Sequence, residues 1–269
     1  MTNLTEYFPS RFLFPSRSSR AKLLVEANMR RYLRHRLLFL TGFLEPFFFL
    51  LSIGVGVGGL IGEISVQGEM VRYAVFVAPG LLATSAMNGA MIDSVFNVFF
   101  KLKITHTYEA VLATPMTTTD IVRGEVRWAM TRGTIYSAAF IVIMIALGDT
   151  MSWMVIFCLP VCLLLSYSFA AMGVAATSYM RTWQDFDLVV LVQMPMFLFS
   201  GVFFPLSAYP PWLRDIVAVT PLYQGVAACR DFSLGHVRLS LLSHVLYLAV
   251  VAGVGLVIAT KKMTKTLAP

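Results

Sequence analysis

Few side chains in this 269-residue sequence can do chemistry. Their placement argues against catalysis. Glu45, Asp93 and Gln193 fall inside long apolar runs. A charge in hydrocarbon costs roughly 2.5–3.5 kcal/mol on insertion scales, so such a group faces protein or water. These three are therefore candidates for lining a pathway or a subunit contact. The alternative for the two carboxylates is local: Glu45 precedes Pro46, and Asp93 lies near the end of its run, within reach of the interface. Gln193 has the same bland alternative. His35, His106, His236 and His244 are scattered without metal-ligand spacing, and no metal site is expected. Cys158 and Cys162 sit in an apolar run and Cys229 stands alone, which reads as small hydrophobes rather than a disulfide framework. Gly54, Gly56 and Gly59 satisfy G-x-G-x-x-G, but that pattern binds nucleotide only between a strand and a helix. At the end of an apolar run, glycines instead let helices approach closely. No G-x-x-x-x-G-K-[ST] occurs, so the chain supplies no phosphate-binding loop.

One polar stretch stands apart, THTYEAVLATPMTTTDIVRGEVRW, from Thr105 to Trp128. Thr105–Ala113 can form a short helix presenting Tyr108, Glu109 and Leu112. Thr114–Pro115 ends it, because proline lacks the amide hydrogen and pushes its predecessor out of helical space. Thr117 followed three residues later by Asp120 is a capping-box signal opening a second helix, Asp120–Trp128. The product is a stiff elbow, fit to transmit a push rather than to react.

The elements that hold this elbow are membrane spans. The chain is 58% hydrophobic and 13% charged, against about 45–50% and about 25% in soluble domains. The expected fold is all-α and integral to a membrane, since the backbone must satisfy itself in lipid and no alternating barrel strands appear. Six runs are long enough to cross: Leu37–Leu60, Tyr73–Phe99, Ala129–Leu147, Trp153–Ser178, Leu188–Leu206 and Leu239–Thr260. With alternate loops on alternate sides, 17 of the 21 Lys and Arg fall on one side, and only Arg72, Arg214, Arg230 and Arg238 on the other. The positive-inside rule makes that majority side, with both termini, cytoplasmic. The formal net charge of +7 flanks the spans and is not a nucleic-acid face. The first apolar run follows a long basic segment and is too long for a cleaved signal, so it is expected to remain as a span.

Ser19–Arg36 is amphipathic, with Leu23, Leu24, Ala27, Met29 and Leu33 on one side and Arg30, Arg31, Arg34 and Arg36 on another. It suits an interfacial helix, the alternative being a solvated basic tail. The organisation is thus a cytoplasmic N-terminal segment (1–36), a six-span domain (37–260) and a cytoplasmic tail (261–269). After Phe204, a Pro-rich turn, the apolar-faced WLRDIVAV and the Thr220–Pro221 start signal read as two short helices dipping into the outer leaflet or lining a cavity. Arg181, Asp185 and Asp187 share the short inner loop after the fourth span, read as solvated or as a second, smaller partner contact.

TYEAVLATPMTTTDIVRGEVRWA resembles the cytoplasmic loop of the type-two ABC exporter permeases. EPFFFLLSIGVGVG, VAPGLLATSAM and FLFSGVFFPLSAYPPWL with TPL follow the same family in order, over most of Leu37–Arg230. Within it the sequence resembles the nodulation-factor export permeases. The resemblance implies a transmembrane permease subunit of the inner membrane, paired with a second copy and with two ABC ATPase subunits that carry ATP and magnesium. The chain would bind no cofactor and catalyse nothing itself. The elbow would be the coupling helix, through Tyr108, Glu109, Thr114, Pro115, Asp120, Gly124 and Glu125, and the pair of short helices a re-entrant hairpin. Many aromatics and few charges favour an amphipathic cargo, a lipid-linked saccharide, lipo-oligosaccharide or drug. A gradient-driven secondary transporter is the main competitor, but it would show internal repeats and more intramembrane charge. A lipid-modifying enzyme lacks a catalytic set here, and a purely structural subunit is a third competitor.

Overall fold

The computed structural model describes residues 17–34, 44, 47–66, 68–236 and 238–267. Helix α1 (Arg17–Arg34) leads. A helical stretch α2 (47–61) and a two-stranded hairpin follow, β1 (Glu63–Val66) pairing antiparallel with β2 (Glu69–Arg72) in the register Glu63–Arg72. Then come α3 (Tyr73–Ile104), the short α4 (Thr107–Leu112), α5 (Thr118–Leu147), α6 (Trp153–Thr177), α7 (Asp185–Phe199), α8 (Pro211–Ala218), α9 (Pro221–Leu234) and α10 (Ser240–Leu267).

Among the described residues four helices are long and apolar enough to cross a membrane: α3, α5, α6 and α10. They correspond to the second, third, fourth and sixth expected runs. The start of the first run lies outside the described residues, and its end is the helical α2. The fifth run is the 15-residue α7, which carries Pro195 and stops before the bends at 200–204, with Gly201 at φ 72°. The expected second span also runs five residues past Phe99. The third is one continuous helix from the elbow into the bundle, so Asp120–Trp128 is its first part rather than a separate helix. The hairpin β1–β2 was not among the expected elements.

α3 is the central helix, burying Phe76, Leu82, Met87 and Ala90 against α5, α6 and α9. α10 lies outside, with Leu242, Leu246, Val250, Val254 and Val257 exposed in a stripe of near-fourfold spacing, the pattern of a lipid-facing side. Close helix approach occurs where glycine permits it: a Cβ on Gly54 would lie an ordinary 3.7 Å from Ala74 Cβ, while around Gly56 and Gly59 nothing described lies within 4 Å. It occurs at Gly133 of α5, where an added Cβ would sit 2.3 Å from the Ser166 hydroxyl and 2.8 Å from the Ala86 carbonyl oxygen. Ser166 itself donates to that carbonyl at 3.2 Å. Gly133→Ala is therefore expected to destabilise the bundle by about 1–3 kcal/mol through overpacking. Thermal unfolding of the detergent-purified protein reads this directly.

At the end holding Arg72, the Thr220 hydroxyl accepts from the Tyr223 amide and Pro221 takes the first helical position of α9, as the sequence signals. Arg230 is not a loop charge. Its guanidinium is buried over the Phe76 ring at 3.9 Å and donates to the carbonyls of Phe76 at 3.2 Å and Gly201 at 2.7 Å. It ties α9 to α3 and to the break after α7. Cys158, Cys162 and Cys229 are buried and free, with Cys162 and Cys229 sulfurs 3.8 Å apart.

Candidate coupling site

At the opposite, basic end the elbow forms as its local chemistry dictates. α4 begins after His106, held at φ 48°, whose Nδ1 meets the Glu109 carboxylate at 2.8 Å on the exposed side. It ends at Ala113–Pro115, where the Thr114 hydroxyl donates to the Val111 carbonyl at 2.6 Å. The capping box is complete: the Asp120 amide donates to Thr117 Oγ1 at 3.3 Å, and the Thr117 amide donates to Asp120 Oδ2 at 3.0 Å. Arg20 of α1 reaches across to donate to the Pro115 carbonyl at 2.5 Å.

α1 lies along α5 on a face different from the expected one. Ala21, Leu24, Asn28 and Tyr32 turn inward, while Leu23 and Leu33 are 49% and 59% exposed. The contact depends on Gly124, where a Cβ would stand 2.9 Å from the Leu24 side chain and 3.2 Å from the Ala21 carbonyl. Arg30, Arg31 and Arg34 remain on the outer side of α1, exposed. Arg36 lies outside the described residues.

Two neutral polar layers then join α1, α3 and α5. In the first, the Lys101 ammonium donates to Glu125 Oε1 at 2.8 Å, Glu125 Oε2 at 3.0 Å and Asn28 Oδ1 at 2.8 Å, and the Asn28 amide donates to Glu125 Oε2 at 3.1 Å. Lys101 is 5% exposed and Glu125 2%. Tyr108 of α4 is buried beside them, and its hydroxyl completes no hydrogen bond. Burial pushes the Tyr108 phenol well above its ordinary pKa, and the Glu125 carboxylate adds to the effect.

Seven residues on, about 10 Å along α5 at 1.5 Å rise, lies the second layer. Arg132 Nη1 meets Asp93 Oδ1 at 2.9 Å, Arg132 Nε donates to the Tyr136 hydroxyl at 3.0 Å, and that hydroxyl shares a 2.6 Å bond with Tyr32 of α1. The guanidinium also lies 5.0 Å from the Tyr32 ring centre. Both α3 members sit in widened turns of that helix, Asp93 in Asp93–Asn97 and Lys101 in Phe100–Ile104. Such π-type turns recur at functional positions.

The structure brings Tyr108, Asp120, Gly124 and Glu125 inside this assembly and leaves Glu109, Thr114 and Pro115 on its exposed surface. Asp93 is an internal ion-pair partner. Gln193 of α7 donates to Asn88 of α3 at 2.8 Å and lines a cavity of about 250 Å³ with Thr84, Ser85 and Tyr136. Glu45 lies outside the described residues. Asn28, Tyr32, Lys101, Arg132 and Tyr136 were not singled out from the sequence. The one signal for them was ionised residues abutting apolar runs: Lys101 was counted with the loop after the second run, and Arg132 with the start of the third.

A profile of the ABC-2 type transporter matches residues 20–234, most of the chain. The chain belongs to the ABC-2 type transporter family. Relatives within it include Nodulation protein J of Rhizobium leguminosarum bv. trifolii, 31% identical over 202 residues, 75% of this chain and 76% of the relative. Nodulation protein J of Rhizobium meliloti (strain 1021) is 28% identical over 226 residues, 84% and 85% of the two chains. The Inner membrane transport permease YadH of Escherichia coli (strain K12) is 26% identical over 181 residues, 66% and 70%. The resemblance read from the elbow and its companion segments is thereby shown. The matched region covers the elbow, both polar layers and α9. As an ABC-2 type transporter the chain is an integral membrane permease component, and the family implies an ABC ATPase as its associate.

Proposed function

We propose that this chain is the transmembrane subunit of an ATP-driven exporter, with two copies in the inner membrane served by two separate ABC ATPase subunits that bind ATP and magnesium. The observation that carries the reading is mechanical. α4 and the capped start of α5 form a rigid, outward-facing elbow. Two buried polar layers fasten it to α1 and α3. A displacement delivered at Glu109, Thr114 and Pro115 reaches the bundle without loss in soft loops. Asp120, through the capping box, keeps the turn rigid; Tyr108, Gly124 and Glu125 fix the elbow to its neighbours.

The charge asymmetry supports six spans with both termini cytoplasmic, 1–36 and 261–269 flanking the 37–260 domain. α2 would complete the first span and α7 the fifth. α8 and α9 would form a hairpin at the outer face, anchored by Arg230. The cavity beside Gln193 and Asn88 offers amides and hydroxyls among apolar walls, lining suited to an amphipathic cargo such as a lipid-linked saccharide, lipo-oligosaccharide or drug. Two relatives bear the name nodulation protein J, and a third is called an inner membrane transport permease; both names agree with that reading. The test is co-expression with a candidate ABC ATPase. Co-purification and ATP-dependent cargo movement in vesicles are expected. Movement that follows an ion gradient with no ATPase present would refute the proposal.

A further inference from the structure

A second cavity, of about 530 Å³, lies on the flank of the bundle between α3, α6 and α7. That size falls within the roughly 300–1,000 Å³ of ligand sites. It runs from Asp185 to Met196 along α7, about 16 Å at the helical rise, which is one leaflet of a roughly 30 Å hydrocarbon core. Its walls are almost wholly apolar. Met91, Met172, Met180 and Met196 contribute unbranched, adaptable side chains, while Leu188 and Val192 stand exposed at its side opening.

Only its end near the basic surface is charged. Arg181 lines that end, beside Tyr179, whose ring carries the Lys262 ammonium at 4.3 Å. Asp185 also lines it, but its carboxylate accepts from the backbone amides of Arg181 at 2.6 Å and Thr182 at 3.0 Å. Those bonds hold its pKa below the usual carboxylate range and commit the group to shaping the loop. Gln193, deeper in, already donates to Asn88. Among the described residues neither Arg181 nor Lys262 has a carboxylate within ion-pair distance. The mouth is also built to hold its shape, since Trp183 packs against Phe96, Phe99, Phe100 and Phe186. The result is a leaflet-deep apolar groove with Arg181 lining its polar end and Lys262 next to it over the Tyr179 ring.

We infer that this groove holds an anionic phospholipid of the leaflet at the basic surface, its phosphate between Arg181 and Lys262 and an acyl chain along α7. The two cations complement a phosphate, and the depth matches a chain reaching the bilayer midplane. The inference needs only that the chain spans a membrane; it does not depend on cargo, ATPase or direction of transport.

The test uses the purified full chain in nanodiscs of equal phosphatidylglycerol and phosphatidylcholine, with retained lipids counted by native mass spectrometry after transfer to detergent. Phosphatidylglycerol is expected to be retained preferentially. Arg181→Gln, an exposed position whose change leaves the melting temperature unaltered, is expected to lower that retention about fivefold, the worth of one basic residue at an anionic surface. Ala176→Trp, which fills the groove and keeps Arg181, is expected to lower it at least as much. Lys103→Gln, at the same end but outside the groove, leaves it unchanged. Equal retention of the two lipids, or undiminished phosphatidylglycerol in Arg181→Gln or Ala176→Trp, overturns the assignment and leaves the groove to a zwitterionic lipid or a second copy of the chain.

Discussion

Lys101→Met on its own is expected to destabilise the protein by about 3–5 kcal/mol, because it strands the buried Glu125 carboxylate. Glu125→Leu strands the ammonium and is expected to cost a similar amount. The physical reason is asymmetry. Assembled, the pair is neutral and every polar atom of Asn28, Lys101 and Glu125 in the cluster faces a partner within 3.1 Å. Broken, it leaves a full charge with about 2–5% exposure and no escape to water. The double variant Lys101→Met/Glu125→Leu removes both charges together and is expected to recover most of the loss, since well-packed apolar residues often replace a buried ion pair without cost. Denaturant or thermal unfolding of all three variants checks the pattern. Equal losses that simply add in the double variant would show that the two groups do not act as a pair. Where the double variant folds, its transport activity separates the role of the layer in stability from its role in transmission.

Gly124→Leu is expected to reduce ATP-driven transport at least about tenfold while the ATPase still co-purifies, a loss within the range of typical coupling energies. The α1–α5 contact has no room for a side chain there: a bare Cβ already falls 2.9 Å from Leu24 and 3.2 Å from the Ala21 carbonyl. A leucine must lift α1 away. Asn28 then leaves Lys101, Tyr32 leaves Tyr136, and Arg20 leaves the Pro115 carbonyl. The exposed face of the elbow, with Glu109, Thr114 and Pro115, is untouched, so docking survives and transmission fails. Loss of both docking and transport would instead point to a misfolded elbow.

The elbow was legible because its signals are local. Proline at 115 and the Thr117–Asp120 pair act over three residues, and the structure forms both. The polar layers were not legible, because their partners are far apart in sequence: Asn28 and Glu125 are separated by 97 residues, Lys101 and Glu125 by 24. Hydropathy reads Lys101 as the start of a loop. Only the fold shows that α3 continues to Ile104 and turns that ammonium inward. The buried face of α1 was misjudged for a related reason. Apolar periodicity favours Leu23 and Leu33, yet protein contact selects Ala21, Leu24, Asn28 and Tyr32 and leaves those leucines outward. A sequence pattern cannot tell an apolar face meant for lipid from one meant for protein. The tight glycine crossings were not legible either: Gly89, Gly124, Gly133, Gly173 and Gly225 stand isolated among larger residues, and only the fold shows what each one meets.

On the proposed function the elbow faces the cytoplasm and is the surface the ATPase presses. Glu109→Cys provides the probe. That side chain is 69% exposed, and the native cysteines are buried, so a new thiol there is the reactive one. A membrane-impermeant maleimide applied to oriented vesicles should label position 109 only from the cytoplasmic side, and a bound ATPase should block the labelling. Labelling from the outer side, or labelling undiminished by a bound ATPase, would contradict it.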